Sequence, residues 1–121
     1  MLPKEYRLTR SKDFARVRRY GRSSGSQLLV LYALPTNTPD RRIGFSVSKR
    51  VGKAIIRNRV KRRLREAVRS QLATVPSGYD LVFIARPSAA QATYAQIEET
   101  VGYLLRKSGT KREPARRAIH A

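Results

Sequence analysis

The feature that most limits how this chain folds is a change of hydrophobic period within one segment. Residues 43–48 alternate between apolar and small side chains, which predicts a strand with one buried face. After Gly52 the apolar residues recur at helical spacing, which predicts the longest helix of the chain. Its apolar stripe comprises Ile56, Val60, Leu64, Ala67 or Val68, and Gln71 or Leu72. A strand and a helix so close in sequence should share one core, so the fold mixes both kinds of element.

Two further helices are indicated. The first begins near Ser11 and is expected to end in a left-handed glycine cap at Gly21. The last begins at Pro87, where Ser88 and Gln91 have the spacing of a capping box.

The other apolar runs predict strands. They lie at residues 28–34 and 79–85, with room for a short extra strand at residues 22–27. We therefore predict an α/β (α+β) two-layer sandwich in the order αββ(β)αβα. The long helix joins two strands as a βαβ crossover, and the general rule for such units favours the right-handed form.

The length and composition bound the remaining possibilities. The 121 residues suffice for one domain, which we place at residues 1–109, and the basic segment 110–121 is expected to be a disordered tail. The sequence has no cysteine, which excludes disulfides and thiolate metal sites. Its longest apolar run is too short to span a bilayer and its first residues do not form a secretory signal, so a cytoplasmic location is expected.

The charge is large and concentrated. A formal net charge of +19 exceeds what solubility requires and predicts a polyanionic partner. Residues 41–69 contain twelve Lys or Arg and one acid, Glu66, so this quarter of the chain carries +11 of the total. The helix face opposite the apolar stripe carries Asn58, Lys61, Arg62, Arg65 and Arg69. A solvated face is the ordinary interpretation of such a run, but the lack of interleaved acids favours an anion-binding face.

Two residues at the start of this helix allow two interpretations each. Arg57 lies on the flank of the apolar stripe, where it either binds local carbonyl groups and fixes the preceding loop or contacts phosphate. Asn58 either caps the first turn or recognises the backbone or base edges of a nucleic acid.

The small-residue face of the 43–48 strand also has two interpretations. Gly44, Ser46 and Ser48 either allow close helix packing or leave a groove for a ligand, with Lys49, Arg50 and Lys53 at its exit. Phe14 and Tyr32 could supply stacking surfaces for single-stranded RNA, although a lone Phe is more often part of a core.

The sequence offers no constellation suited to catalysis by the polypeptide. Its one histidine is His120, in the predicted tail, and its eight acids are scattered along the chain. No phosphate-binding glycine-rich loop of a known kind is present. We therefore expect no catalytic residue and no metal ligand on the protein.

The residues from 42 to 69 also form a recognisable pattern. Its centre is Arg57-Asn58-Arg59, with Gly52-Lys53-Ala54 before it and Lys61-Arg62 and Arg65 after it. The flanking residues agree, namely Asp13-Phe14, Gly21, the run LVLYAL at 29–34 and the run YDLVFIARP at 79–87. In these features residues 5–107 closely resemble the protein subunit of bacterial ribonuclease P.

The resemblance implies a fold and an activity. The crossover through the basic helix would be left-handed, against the general rule. The activity would be endonucleolytic removal of the 5′ leader from precursor tRNA, performed by a catalytic RNA with bound Mg²⁺. The implied partners are the ribonuclease P catalytic RNA and precursor tRNA, and no membrane.

The resemblance also assigns residues to two surfaces. The catalytic RNA would be bound by Arg57, Asn58, Arg59, Lys61, Arg62, Arg65 and Arg69. The cleft for the leader would be formed by Phe14, Arg18, Tyr32, Ser46, Ser48, Lys49, Arg50, Lys53 and Arg86. At Arg18 family members often carry a second aromatic residue, so there a phosphate contact or a guanidinium stack would replace an aromatic one.

Two other classes of function compete with this interpretation. Composition alone favours a structural ribosomal protein or a general RNA chaperone, neither of which needs a cleft for a free strand. A protein-only nuclease would need an acid cluster or a histidine on an ordered element.

Overall fold

The structure is a computed structural model that describes residues 4–75 and 77–108. The principal elements are α1 (Ser11–Tyr20), β1 (Arg22–Gly25), β2 (Leu29–Pro35), β3 (Arg41–Ser46), α2 (Ala54–Arg69), β4 (Tyr79–Ala85) and α3 (Tyr94–Ser108). Short 3₁₀ turns occur at Lys4–Tyr6, Leu72–Thr74 and Pro87–Gln91. The predicted order is confirmed, including the extra strand β1. The predicted tail and the boundary at residue 109 lie outside the described residues.

The four strands form one sheet in the order β1-β2-β4-β3. β2 pairs antiparallel with both β1 and β4, whereas β3 runs parallel to β4 with Ile43 opposite Leu81. Arg7 forms an isolated parallel bridge with Ile43 on the outer side of β3. β4 is the last strand in the sequence but lies in the interior of the sheet.

The crossover from β3 through α2 to β4 is left-handed. The N–H of Leu8 donates to the C=O of Ile43 over 2.8 Å, so the main-chain groups of Ile43 point away from β4. The side chain of Ile43 belongs to the core on the α2 side of the sheet. An L-residue on an ascending strand with its side chain toward the viewer directs its N–H and C=O to the right, which places β4 on the left. A connection in front of the sheet that moves left is left-handed, as the resemblance implies.

Helices cover both faces of the sheet. The main core lies between the sheet and α2 with α3, and its largest fully buried residues include Leu31, Leu64, Phe83, Ile97 and Leu104. A smaller cluster lies on the opposite face beneath α1 and is centred on Leu8, Val17 and Val82. α1 therefore rests on a small apolar contact, and other interactions must contribute to holding it in place.

Two predicted helix ends are wrong. Gly21 follows α1 with φ −79° and ψ 159°, which is extended rather than left-handed. A Cβ at this position would lie 2.5 Å from the C=O oxygen of Val17, so close packing explains the glycine. The capping box of α3 lies five residues later than predicted, because Thr93 and Gln96 exchange side-chain to main-chain hydrogen bonds of 2.9 and 3.1 Å. Ser88 instead donates to the C=O of Gln27.

A buried ion cluster joins α1 to the sheet. The Asp80 carboxylate on β4 is 2% exposed and accepts hydrogen bonds from Arg16 on α1 at 2.7 Å and from Arg42 on β3 at 3.0 and 3.2 Å. Arg16 also contacts Asp13 at 3.3 Å. Burial raises the pKa of Asp80, but the hydrogen bonds from Arg42 and Arg16 outweigh burial, so the pKa lies below its ordinary value.

We expect Asp80→Asn to destabilise the fold by about 2 kcal/mol, because two guanidinium groups lose their charged acceptor. The cost falls below that of a fully buried pair, since Arg16 and Arg42 are more than a third exposed and can be hydrated. Urea unfolding of the variant against the parent measures this loss. The exposed Asp40→Asn change serves as the matched control and should have little effect.

The pH dependence provides a second measurement. Because the folded pKa of Asp80 is lowered, its stabilisation is complete above the unfolded value of about 4 and is lost as pH falls through the lower folded value. The stability difference between parent and Asp80→Asn should therefore shrink in that acidic range. A difference that stays constant down to the acid transition would contradict this account.

Candidate nucleic-acid interface

The ring of Phe14 lies over β3 at a position that has no side chain. A Cβ on Gly44 would come within 2.5 Å of Phe14 Cζ, so glycine leaves the space that the ring occupies. The ring is half-buried and packs against the cluster of Leu8, Val17 and Val82. Close helix packing therefore accounts for Gly44. Phe14 is partly core, yet it also lines two cavities.

The first cavity, called here the α1 cleft, lies between α1 and β3. It has a volume of about 390 Å³ and is lined by Thr9, Ser11, Phe14, Ala15, Arg18 and Ser46. The structure thus brings together three predicted leader-cleft residues, Phe14, Arg18 and Ser46. An aromatic ring, a guanidinium and hydroxyl groups in one open cleft suit a single-stranded nucleic acid.

The remaining predicted cleft residues are not among those that line the α1 cleft. Tyr32 is half-buried and packs beneath α1 with the smaller cluster. Ser48 organises the turn after β3, since its Oγ accepts the N–H of Arg50 at 3.3 Å and its C=O accepts the N–H of Val51 at 3.0 Å. The side chains of Lys49, Arg50 and Lys53 are exposed beyond this turn.

Arg86 lies on another side of the sheet. Its Nη2 is 3.2 Å from the point where a Cβ on Gly25 would stand, so the guanidinium is next to β1 at the edge opposite β3. The structure therefore separates Arg86 from the α1 cleft.

The contacts of α2 divide its basic residues into groups. Arg57 donates from Nε to the C=O of Gly52 over 3.1 Å, and Gly52 has a positive φ of 152° that favours glycine. This hydrogen bond supports the interpretation in which Arg57 binds a local carbonyl group and fixes the preceding loop. Arg59 and Arg63 donate to the C=O groups of Ala90 at 3.1 Å and Ala92 at 2.6 Å. These two arginines tie α2 to the segment before α3.

The outward face of α2 carries Asn58, Arg62 and Arg69, which are all exposed. The N-cap of α2 is Lys53, so Asn58 lies inside the helix and the capping interpretation is wrong. Arg69 binds Glu66 at 2.9 Å, and this hydrogen bond is the largest of the causes that lower the pKa of Glu66 to about 2. Glu66 therefore stays ionised and offsets the charge of Arg69.

The third side of α2 faces the edge of the sheet, where Lys61 and Arg65 line a second cavity. This cavity, called here the edge pocket, has a volume of about 200 Å³. Its lining consists of Arg7, Leu8, Thr9, Phe14, Ile43, Phe45, Lys61 and Arg65. Phe14 and Thr9 line both the edge pocket and the α1 cleft. The leader cleft and the basic side of α2, which were predicted as separate surfaces, therefore adjoin at Phe14.

Several relevant residues were not identified from the sequence. Asp80 is the one acid within the apolar run of β4, and that isolation was a usable signal of a buried ion pair. Thr9 gave no such signal. Ile55 is 77% exposed on the outer part of α2, although hydrophobicity alone would have placed it inside.

Within residues 4–75 and 77–108, no helix is both long and apolar enough to cross a membrane. The same part of the chain contains no group of three or more His, Asp or Glu side chains placed to hold a metal ion.

Comparison with known proteins gives a consistent result. A sequence model of the family "Ribonuclease P" matches residues 2–109. A ribonuclease P protein component of Clostridium botulinum is 46% identical over 107 residues, covering 88% of this chain and 96% of its own length. One from Alkaliphilus metalliredigens is 41% identical over 101 residues, covering 84% and 91%.

Solved structures agree with this result. The RNase P protein of Staphylococcus aureus superposes with a TM-score of 0.82 at 30% identity, covering 90% of this chain and all of that one. The RNase P protein of Thermotoga maritima gives a TM-score of 0.74 at 28% identity, covering 83% and 96%.

The unrelieved charge on α2 predicts that anions stabilise the free protein. Lys61 and Arg65 are one helical turn apart with Arg62 beside them, and a divalent anion would relieve their repulsion in the folded state. At constant ionic strength, replacing chloride by sulfate should raise the melting temperature by about 5 °C. The double variant Lys61→Gln, Arg65→Gln should lose most of this gain, whereas Arg106→Gln on α3 should keep it. An equal response of all three proteins would show that the effect does not arise at α2.

Proposed function

This chain belongs to the ribonuclease P protein family, and from that premise we propose how its surfaces are used. It is a protein component of ribonuclease P, a ribonucleoprotein that processes tRNA, and its partner is the ribonuclease P RNA. Our proposal is that the α1 cleft binds the single-stranded 5′ leader of precursor tRNA in the cytoplasm. The outward face of α2 binds the catalytic RNA.

The α1 cleft carries the proposal. It is open and it places the ring of Phe14 beside the guanidinium of Arg18 and the hydroxyl groups of Ser11 and Ser46. A stacking ring and a fixed cation suit successive nucleotides of a strand without base pairs. A structural ribosomal protein would need the charge but not this cleft, and no relative described above supports that alternative.

The outward face of α2 suits a folded RNA. Arg62 is exposed there beside Asn58, and Arg59 and Arg69 flank them with their positions fixed by Ala90 and Glu66. Guanidinium groups held in position lose less side-chain entropy when they bind phosphate. These residues would therefore dock the helix on the phosphate backbone of the RNA partner.

We assign the hydrolysis to the RNA subunit. The charged groups that line the α1 cleft and the edge pocket are guanidinium and ammonium groups, and an arginine keeps its proton in proteins. Such groups bind and orient phosphates. The Mg²⁺ that the family implies would belong to the RNA subunit, and the protein would hold the substrate in place.

A cleavage assay tests the proposed function. Precursor tRNA is incubated at low Mg²⁺ with the catalytic RNA alone, with the protein alone, and with both. We expect no cleavage by the protein alone and faster multiple turnover when both are present. Cleavage by RNA-free protein that a point substitution in the protein abolishes would overturn the assignment of catalysis to the RNA.

Single variants should separate the two surfaces. Arg62→Ala should weaken binding to the catalytic RNA equally with any substrate and lower the salt-dependence slope by about 1, because one phosphate contact is lost. Phe14→Ala should leave that affinity unchanged and reduce the preference for precursor over mature tRNA by roughly 1 to 3 kcal/mol.

Matched controls are available for both changes. Arg106→Ala and Tyr103→Ala remove an exposed guanidinium and an exposed ring from α3. Because Phe14 also packs in the smaller cluster, its variant must first be shown to be folded by circular dichroism, and Phe14→Leu removes the ring while keeping apolar bulk. If folded Phe14 variants discriminate as well as the parent does, Phe14 is purely a core residue.

A further inference from the structure

The edge pocket combines an apolar wall with cationic side chains. Its apolar wall is formed by Phe14, Phe45 and Ile43, and its rim carries the ammonium of Lys61 and the guanidinium of Arg65. A volume of about 200 Å³ lies below the range of about 300 to 1,000 Å³ typical of pockets for drug-sized ligands. The space therefore suits one ring system with an attached anion.

The edge of β3 adds directional hydrogen-bonding groups to this pocket. Alternate residues of an edge strand direct their N–H and C=O outward, and Ile43 does so where it accepts the N–H of Leu8. Phe45 is two residues further and faces the same way. The main chain of Phe45 therefore also points to the outer edge of β3, where Phe45 lines the pocket. A nucleobase edge is a partner for such an adjacent donor and acceptor.

We propose that the edge pocket is a subsite for one unpaired nucleobase of the leader strand. The base lies against the apolar wall with its edge toward the main chain of Phe45, and Lys61 and Arg65 bind the adjoining phosphates. The proposal rests on the proposed function, because it extends the path of the leader from the α1 cleft past Phe14 to α2. Lys61 and Arg65 then act on the substrate strand and not only on the catalytic RNA.

The position of the pocket favours the leader over the catalytic RNA as the source of the base. Phe14 and Thr9 line both the α1 cleft and the edge pocket, so the two cavities adjoin and a strand leaving the cleft can continue into the pocket. Arg62, which we assign to the catalytic RNA, is not among the residues that line the pocket.

The test uses a substitution that fills the pocket from an exposed residue of its lining, Thr9. Thr9→Trp places a large ring at the shared boundary, and Asn37→Trp adds the same ring to an exposed loop as the matched control. Precursors that carry one abasic nucleotide at successive leader positions are bound to each reconstituted holoenzyme. With the parent we expect one position beyond the Phe14-sensitive one at which loss of the base lowers affinity about tenfold.

In Thr9→Trp the abasic change at that position should have no further effect, because affinity for the intact precursor has already fallen about tenfold. Affinities for mature tRNA and for the catalytic RNA should be unchanged. Asn37→Trp should behave as the parent. Weaker binding of Thr9→Trp to the catalytic RNA without substrate would instead assign the pocket to a base of that RNA, and full precursor affinity would show the pocket to be empty. Both outcomes overturn the proposal.

A crosslinking measurement on the parent protein does not depend on the variant folding. 4-Thiouridine at the sensitive leader position should attach to peptides containing Phe45 or Lys61, and the neighbouring position should attach to α1. Attachment elsewhere contradicts the subsite. If no abasic change in the leader alters the affinity of the parent holoenzyme for precursor tRNA, the proposed function itself is refuted. This outcome is distinct from failure of the subsite alone.

Discussion

The carboxylate of Asp80 determines where α1 lies, and the position of α1 determines the interface. The apolar cluster beneath α1 is small, so the bonds from Asp80 to Arg16 and Arg42 supply a directional attachment that apolar packing lacks. The ion cluster of Asp80, Arg16 and Arg42 also joins α1 to both β3 and β4. The α1 cleft exists because α1 holds the ring of Phe14 above Gly44. The buried carboxylate of Asp80 therefore fixes the geometry of a cleft that we propose binds RNA.

A protein with 27 basic and eight acidic residues cannot pair most of its cations with carboxylates. It uses main-chain oxygens instead. Arg41 bonds to the C=O groups of Leu72 and Val75, and Arg57, Arg59 and Arg63 bond to other C=O groups. A carbonyl partner leaves the positive charge uncancelled. These arginines therefore stabilise the fold and still contribute to the field that attracts RNA.

The sequence was most informative where period and composition act locally. The stripe from Ile56 to Val68 defined α2 and the side on which it packs, and the concentration of charge indicated α2 as the helix to propose for RNA binding. Handedness could not be obtained from periodicity, because a stripe on α2 is the same for either crossover. The sequence also did not reveal that the basic residues of α2 fall into groups with different contacts. Spacing alone cannot show that Arg59 donates to a carbonyl group or that Lys61 lines a pocket at the sheet edge. The sharing of Phe14 between two cavities depends on contacts between distant segments.

The place of β4 inside the sheet has a consequence for how the protein is made. β2 and β3 have no common neighbour until residues 79–85 are available, and the central pairing joins segments about 50 residues apart in sequence. During synthesis the basic segment of α2 leaves the ribosome before the strand that fixes its position. Until β4 emerges, the nascent chain is cationic, its sheet is incomplete, and it is surrounded by ribosomal and messenger RNA. Long-range pairing of this kind forms slowly, so the chain remains open to unproductive association with these RNAs until the sheet closes around β4.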